Sequence, residues 1–120
     1  MTSASSSSFP KSARILRSKD FRRVYDNGIR FSCGPFSAFC LREPGDAATG
    51  PRIGFTTPRA LGGAVVRNRI KRRVREVVRR RLDRLSAEWS IVINPRRKAL
   101  ECPFPEIERE IDRLFLRCSS

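Results

Sequence analysis

Residues 67 to 76 read Arg-Asn-Arg-Ile-Lys-Arg-Arg-Val-Arg-Glu, and this stretch decides how the chain folds. The apolar residues in and after it recur at steps of three and four, the spacing of a helix with one buried stripe: Ile70, Val74, Val77, Val78, Leu82 and Leu85. The pattern predicts a helix over about 67 to 85, roughly 28 Å long at 1.5 Å per residue. Its basic residues then form a rigid cationic ridge suited to lie along a polyanion.

The charge of the whole chain favours a nucleic acid as its partner. Its 120 residues include 26 Lys and Arg against 12 Asp and Glu, which gives a formal net charge of +14 and a pI of about 11.4. Arginine far outnumbers lysine, and its planar fork pairs with phosphate at two points and stacks on bases. The length fits one domain with one core. Neither an apolar run of membrane-spanning length nor a signal peptide is present, so we expect a cytoplasmic protein without a membrane partner.

The chain offers few residues for cutting RNA by itself. It has no histidine, and its acidic residues are dispersed instead of being paired beside the basic helix. We therefore expect no catalytic residue and no protein-bound metal or cofactor. The four cysteines, Cys33, Cys40, Cys102 and Cys118, lack Cys-x-x-Cys spacing. Reduced, partly buried thiols are the favoured interpretation, and a zinc site made from all four is the alternative.

The remaining sequence predicts a single α+β domain over residues 14–117. Residues 1–13 are rich in serine and are predicted to form a disordered tail, and residues 118–120 a short C-terminal tail. Outside the basic helix, the predicted elements are a helix over 18–26, strands over 29–33, 36–42, 52–57 and 89–93, and a helix over 105–117. We expect the first three strands to pair as an antiparallel set. The order αβββαβα describes helices packed on one sheet.

Residues 62 to 76, Gly-Gly-Ala-Val-Val-Arg-Asn-Arg-Ile-Lys-Arg-Arg-Val-Arg-Glu, resemble the signature of the bacterial ribonuclease P protein component. Weaker matches at 18–28, 52–56 and 91–95 extend the likeness over about residues 13 to 115. The resemblance implies an αβββαβα two-layer sandwich similar to the second domain of a ribosomal small-subunit protein. It also implies a left-handed βαβ crossover carrying the basic helix, although most such crossovers are right-handed.

The resemblance further implies an accessory subunit of an endoribonuclease whose RNA performs the hydrolysis. The family binds the catalytic RNA of ribonuclease P and the 5′ leader of precursor tRNA, and assists removal of that leader. The implied arrangement is a protein monomer in a 1:1 complex with the RNA, with Mg²⁺ used by the RNA-containing holoenzyme. Two alternatives remain: a general RNA-binding or ribosomal-type structural protein, and a protein nuclease, which the missing histidine disfavours.

By the same resemblance, the residues that contact the catalytic RNA are Arg67, Asn68, Arg69, Lys71, Arg72 and Arg75. On a helical wheel Asn68, Arg72 and Arg75 form a stripe away from the apolar residues, and Arg79 continues it. Such a stripe either contacts phosphates or is a solvated charged surface. Asn68, a neutral residue near the helix start, could cap the helix or loop instead.

The resemblance places a cleft for the tRNA leader at Phe21, Tyr25, Phe36 and Phe39. From the sequence alone a core role fits these aromatic residues better, and along the strand Phe36 and Phe39 point to opposite sides. A single-stranded leader, however, is bound by stacking on exposed aromatic rings, at about 1–3 kcal/mol per base. Thr56 could add a hydroxyl donor to this cleft. The chain departs from its relatives at 58–60 (Pro-Arg-Ala for Ser-Lys-Lys) and at 94–95 (Asn-Pro for Ala-Arg).

Overall fold

A five-stranded sheet forms the centre of the protein. The computed structural model describes residues 14–15, 18–43, 51–86 and 88–118. The strands are β1 (Arg14–Ile15), β2 (Ile29–Ser32), β3 (Phe36–Arg42), β4 (Arg52–Phe55) and β5 (Trp89–Pro95). The helices are α1 (Ser18–Asn27), α2 (Ala64–Arg79), α3 (Lys98–Glu101) and α4 (Phe104–Arg117), with single 3-10 turns at Arg59–Leu61 and Leu82–Arg84. In the sheet the strands lie in the order β1-β4-β5-β3-β2.

The predicted α+β fold is confirmed, but the predicted antiparallel set of the first three long strands is wrong. β2 and β5 both pair with β3 in antiparallel fashion, whereas β4 pairs with β5 in parallel. β5 lies between β3 and β4 because residues 89–93 are buried on both faces, as expected of a central strand. The connection β4–α2–β5 is the expected βαβ crossover, whose left-handed sense stays a prediction. The short β1, parallel to β4 at the sheet edge, was not predicted.

The main core lies between one face of the sheet and the helices α2 and α4. The predicted apolar stripe of α2 is confirmed, since Ile70, Val74, Val77 and Val78 are fully buried. The sheet contributes mainly β-branched and aromatic side chains, and α4 contributes its predicted inner face: Phe36, Ile53, Ile91, Ile93, Ile107, Ile111, Leu114 and Phe115. Burial of each large apolar side chain stabilises the fold by about 1.5–3 kcal/mol. The basic helix is therefore fixed rigidly to the sheet.

The basic helix is shifted relative to its predicted bounds. It begins three residues before Arg67 and ends at Arg79, and the remaining apolar residues up to Leu85 follow in a 3-10 turn. Arg81 marks the bend: its Nε donates to Asp112 Oδ1 at 2.6 Å, and its Nη2 lies 3.7 Å from Glu108 Oε2. Its carboxylate partners on α4 hold it where the helix has ended.

The two predicted tails, residues 1–13 and 118–120, have different outcomes. The predicted tail over 1–13 lies outside the described residues. Cys118, predicted to begin a C-terminal tail, is only 1% exposed and belongs to the main core, so that boundary is wrong by at least one residue. The helix α1 ends at Asn27, and at the following Gly28 a Cβ would lie 2.5 Å from the Val24 carbonyl oxygen. That distance requires glycine there.

Candidate nucleic-acid interface

The loop before α2 and the buried stripe together orient the basic helix. Gly62 has a φ of 138°, in the region that favours glycine, and Gly63 is the N-cap residue, whose carbonyl accepts from the Arg67 amide at 2.9 Å. Asn68 lies inside the helix and is exposed, so its alternative role as the cap of this helix is wrong. With Ile70 and Val74 buried, Lys71 and Arg72 between them face outward, whereas Arg73 does not.

The outward side chains of α2 form a basic groove of about 460 Å³. It is lined by Asn68, Lys71, Arg72, Arg75, Glu76 and Arg79. Hydrogen bonds from Arg79 lower the pKa of the Glu76 carboxyl below its ordinary value, and Arg80 adds a further ion pair. The Arg79 Nη2 lies 2.7 Å from Glu76 Oε2. Glu76 therefore stays ionised and orders two arginines. Because the groove also holds four cationic side chains, the groove as a whole is strongly positive.

Two of the predicted RNA-binding residues lie outside the basic groove. Arg67 is half-buried, and its Nη1 donates to the Thr57 carbonyl at 3.4 Å, on the side of α2 towards β4. Arg69 is exposed on the helix but does not line the groove. The structure thus brings together Asn68, Lys71, Arg72 and Arg75 and leaves the other two at the flanks.

Arg73 differs from its basic neighbours because it faces the protein. Its Nε donates to the Ala99 carbonyl at 2.8 Å and its Nη2 to the Cys102 carbonyl at 2.5 Å. Its guanidinium also lies over the Phe104 ring, 5.3 Å from the centroid. These bonds satisfy carbonyl groups at the end of the short α3, as a cation at a helix C-terminus can. Arg73 is therefore a structural arginine within the basic motif.

The second candidate surface is an aromatic cluster of Phe21, Tyr25 and Phe39 on the opposite face of the sheet. The Phe21 and Tyr25 centroids are 6.5 Å apart, and the Tyr25 and Phe39 centroids 4.9 Å apart, with both pairs edge to face. This geometry is the favourable one for aromatic rings. Tyr25 is 36% exposed, and the other two rings are half-buried. The three predicted cleft residues from α1 and β3 therefore do lie together.

Phe36 does not belong to the aromatic cluster, and the prediction that it lines the cleft is wrong. Its side chain is fully buried in the main core and stacks on Phe31, with centroids 6.1 Å apart. Phe36 and Phe39 are three residues apart on β3, so they point to opposite faces of the sheet. The core interpretation of this residue was the correct one.

Two contacts hold α1, and with it the aromatic cluster, on the sheet. Val24 is fully buried against Val92 of β5. Beside it, the Arg23 Nη2 donates to Glu43 Oε1 at 2.8 Å, and the same carboxylate oxygen accepts from the Ser90 hydroxyl at 3.2 Å. The apolar contact and the ion pair hold α1 on the sheet, and Tyr25 beside them keeps part of its ring exposed to solvent.

Asn94 is a functional candidate that the sequence analysis noted only as a departure from relatives. Its Oδ1 accepts from the Tyr25 hydroxyl at 2.7 Å and from Thr56 Oγ1 at 2.5 Å. Thr56 therefore lies beside the aromatic cluster, as predicted. The sequence did contain a signal that places Asn94 on this face. Side chains alternate along a strand, so a residue two positions after Val92 shares the face of Val92. Thr56 lies at the aromatic cluster, and the carbonyl of the next residue, Thr57, accepts a hydrogen bond from Arg67 near the start of α2. The aromatic cluster therefore adjoins the start of α2.

The arginines that follow β5 also bind the protein's own backbone. The Arg96 Nη1 donates to the Cys33 carbonyl at 2.8 Å and its Nη2 to Ser32 Oγ at 2.9 Å. The Arg97 Nη1 donates to the Leu61 carbonyl at 2.9 Å, which fixes the loop before α2. Both residues remain exposed, so they brace two loops and still contribute positive charge to the surface.

Within the described ranges, no three Asp, Glu or Cys side chains are close enough to hold a metal ion together. None of the helices described there is long and apolar enough to cross a membrane. In the basic groove the available carboxylate, Glu76, is already bound to Arg79 and Arg80. Within this groove the one carboxylate is thus engaged by arginines and is poorly placed to hold a magnesium ion.

Comparison with known proteins gives a consistent result. The model of the family described as Ribonuclease P matches residues 9–119. The ribonuclease P protein component of Symbiobacterium thermophilum is 38% identical over 107 residues, which cover 89% of this chain and 91% of that protein. The protein of the same name from Acidothermus cellulolyticus is 39% identical over 108 residues, covering 90% and 89%. The solved RNase P protein from Thermotoga maritima superposes with a TM-score of 0.73 at 28% identity, covering 87% and 96%.

Proposed function

The chain belongs to the ribonuclease P protein component family, and from that premise we propose that its basic groove and its aromatic cluster bind two different RNA segments. It is a protein subunit of the ribonucleoprotein that processes tRNA 5′ ends, and it associates with the ribonuclease P RNA. We assign the catalytic RNA to the groove on α2 and the leader of precursor tRNA to the cluster of Phe21, Tyr25 and Phe39.

The basic groove supports the first assignment. Lys71, Arg72, Arg75 and Arg79 lie on one rigid face, and arginine forks match phosphate oxygens at two points. A protein that neutralises Z phosphates of a duplex shows a log–log salt slope of about −0.9Z. If each of the four cations neutralises one phosphate, the slope should be about −3.6. Arg67 and Arg69 lie at the flanks of the groove and are assigned a smaller share of the phosphate contacts than the four groove cations.

The aromatic cluster supports the second assignment. An unpaired nucleotide can stack on the exposed ring of Tyr25, since every base has an aromatic face and stacking needs no particular sequence. The hydrogen bond to Asn94 and the edge-on contact with Phe39 hold that ring in one orientation before RNA arrives. A preorganised ring loses less conformational entropy on binding. Mature tRNA has no leader and cannot make this contact.

In this proposal the protein contributes charge and position, and the RNA performs the hydrolysis. The catalytic RNA and the precursor tRNA are both polyanions, so a cationic helix beside a leader site reduces the repulsion between them. The magnesium used by the holoenzyme is assigned to the RNA; in support, the described residues bring no three acidic or cysteine side chains together, and Glu76 in the groove is engaged by arginines. We propose one protein per RNA, acting in the cytoplasm with no residue of this chain taking part in bond breaking.

The observation that carries the proposal is the basic groove on α2, and a reconstitution tests it. Purified protein, bacterial ribonuclease P RNA and a precursor tRNA are assayed at limiting magnesium, with the wild type and with Arg72→Ala/Arg75→Ala. The control is Arg109→Ala/Arg113→Ala, which removes the same charge from exposed positions on α4. We expect the control to support correct leader removal and the groove variant to fail. Cleavage indifferent to the protein, despite RNA binding, would favour a general RNA-binding module.

A further inference from the structure

We propose that Cys40 and Cys118 form a thiol pair that hydrogen peroxide oxidises to a disulfide, which would join β3 to the end of α4. The two cysteines are far apart in the sequence but line the same small groove, and their thiols share a hydrogen bond. Both lie in the main core, on the face of the sheet opposite the aromatic cluster. This modification site is therefore distinct from the proposed leader site.

A small groove gives the thiol pair access to solvent. It has a volume of about 300 Å³ and is lined by Ile29, Phe31, Cys40, Trp89, Leu114, Arg117 and Cys118. Ile29 is 68% exposed and Arg117 is also exposed, so the groove opens at these residues. A peroxide molecule is close to water in size and fits this space. Larger oxidants are excluded, because Cys40 and Cys118 are each at least nine-tenths buried.

The two sulfur atoms have different roles in the pair. The Cys118 sulfur accepts a hydrogen bond from the Cys40 thiol and lies near the positive charge of Arg117; these effects lower the pKa of Cys118 despite its burial. The same hydrogen bond, reinforced by burial, raises the pKa of Cys40. Cys118 is thus the thiol of the pair that ionises more readily, and Cys40 is the proton donor. A thiolate is the form that reacts with peroxide.

The reaction balances with hydrogen peroxide as the oxidant. The Cys118 thiolate attacks one peroxide oxygen, the O–O bond breaks, and the departing hydroxide takes a proton to give water and a sulfenic acid on Cys118. The Cys40 sulfur then attacks Cys118 Sγ, forming the S–S bond as the S–O bond breaks. The proton from Cys40 leaves with the hydroxide as a second water. Two thiols are oxidised and one peroxide is reduced to two waters.

The other two cysteines provide internal controls. The Cys33 Sγ donates to the Phe36 carbonyl at 3.2 Å, and burial raises its pKa to about 11. Burial also raises the pKa of Cys102, which lies against Arg73 and the end of α3. Neither residue lines the groove that contains the pair. Both should remain reduced under conditions that oxidise Cys40 and Cys118.

The test treats the full chain with hydrogen peroxide, blocks remaining thiols, and maps unreduced peptides by mass spectrometry. We compare the wild type, Cys33→Ala/Cys102→Ala and Cys118→Ala. The wild type and Cys33→Ala/Cys102→Ala should each lose two hydrogen atoms and yield a peptide that links residues 40 and 118. Cys118→Ala should do neither. Trp89, the single tryptophan, lines the groove, so its fluorescence should fall on oxidation and recover with dithiothreitol. The thermal midpoint should rise reversibly, because the bond closes a long loop.

Peptide mapping of the wild type decides the result even if a variant folds poorly. The proposal is overturned if the linked peptide joins a different pair of cysteines. It is equally overturned if Cys118 gains oxygen atoms without becoming linked, or if all four thiols remain free while a peptide thiol in the same solution is oxidised.

Discussion

Replacement of Tyr25 by alanine should weaken binding of precursor tRNA to the holoenzyme without weakening binding of mature tRNA. Tyr25 is exposed on one side, and Phe39 meets it edge-on, so the ring has room to stack with one base. Loss of one such contact costs about 1–3 kcal/mol, which corresponds to about a 5- to 140-fold loss of affinity. The measurement is the ratio of dissociation constants for leader-bearing and mature tRNA, taken at constant salt and magnesium.

Two related variants separate stacking from ring orientation. Tyr25→Phe keeps the ring but removes the 2.7 Å hydrogen bond to Asn94, which contributes about 0.5–1.5 kcal/mol. Its loss of leader discrimination should therefore be smaller, at most about 13-fold. Asn94→Ala removes the same bond from its other side, so combining it with Tyr25→Phe should add little.

A buried phenylalanine provides the matched control for the loss of an aromatic ring. Phe36→Leu alters the main core and should lower the thermal midpoint, while the ratio of the two dissociation constants stays unchanged. The reasoning is refuted if Tyr25→Ala leaves this ratio unchanged in a folded holoenzyme. A change of the ratio in Phe36→Leu equal to that in Tyr25→Ala would also refute it, because general destabilisation would then explain both.

Four further variants test the α2 helix. Lys71→Ala should reduce the magnitude of the log–log salt slope for RNA binding by about 0.7–0.9, whereas Arg69→Ala, outside the basic groove, should change it less; equal changes would contradict the assignment. Arg73→Ala should lower the free energy of unfolding in urea by about 1.5–3 kcal/mol, since two backbone carbonyls lose a charged donor, and an unchanged value would contradict its structural role. The lowered pKa of Glu76 stabilises the fold above its ordinary pKa of 4.5, and this contribution is lost as the pH falls through the folded-state pKa. Urea titrations should therefore show Glu76→Gln less stable than the wild type at neutral pH and equal to it in strong acid.

Local periodicity was enough to predict the main elements of the fold. The apolar spacing of α2 correctly gave its buried face, and alternation along β3 correctly separated Phe36 from Phe39. Periodicity could not predict the order of the strands in the sheet. β5 is buried on both faces, and its own sequence does not indicate which strands pair with it. The resemblance to a family then assigned Phe36 to a cleft that its own strand position excludes.

The candidate site was predicted less completely because several roles depend on distant partners. Arg73 belongs to the same basic run as Arg72, and only the carbonyl groups of Ala99 and Cys102 distinguish the two. Asn94 gains its role from contacts with Tyr25 and Thr56, which come from other elements. A sequence pattern reports which face a residue occupies, but it does not report what lies opposite.

The central place of β5 has a consequence for synthesis of the protein on the ribosome. β3 and β4 leave the exit tunnel earlier, yet they become neighbours of one strand only when residues 89–95 have emerged. The cationic helix is translated before that strand, so it emerges beside ribosomal RNA without the β5 side chains that share its core. Until β5 inserts, the nascent chain is a basic amphipathic segment with an uncovered apolar stripe. Acquisition of selective RNA binding is thereby tied to this late folding step.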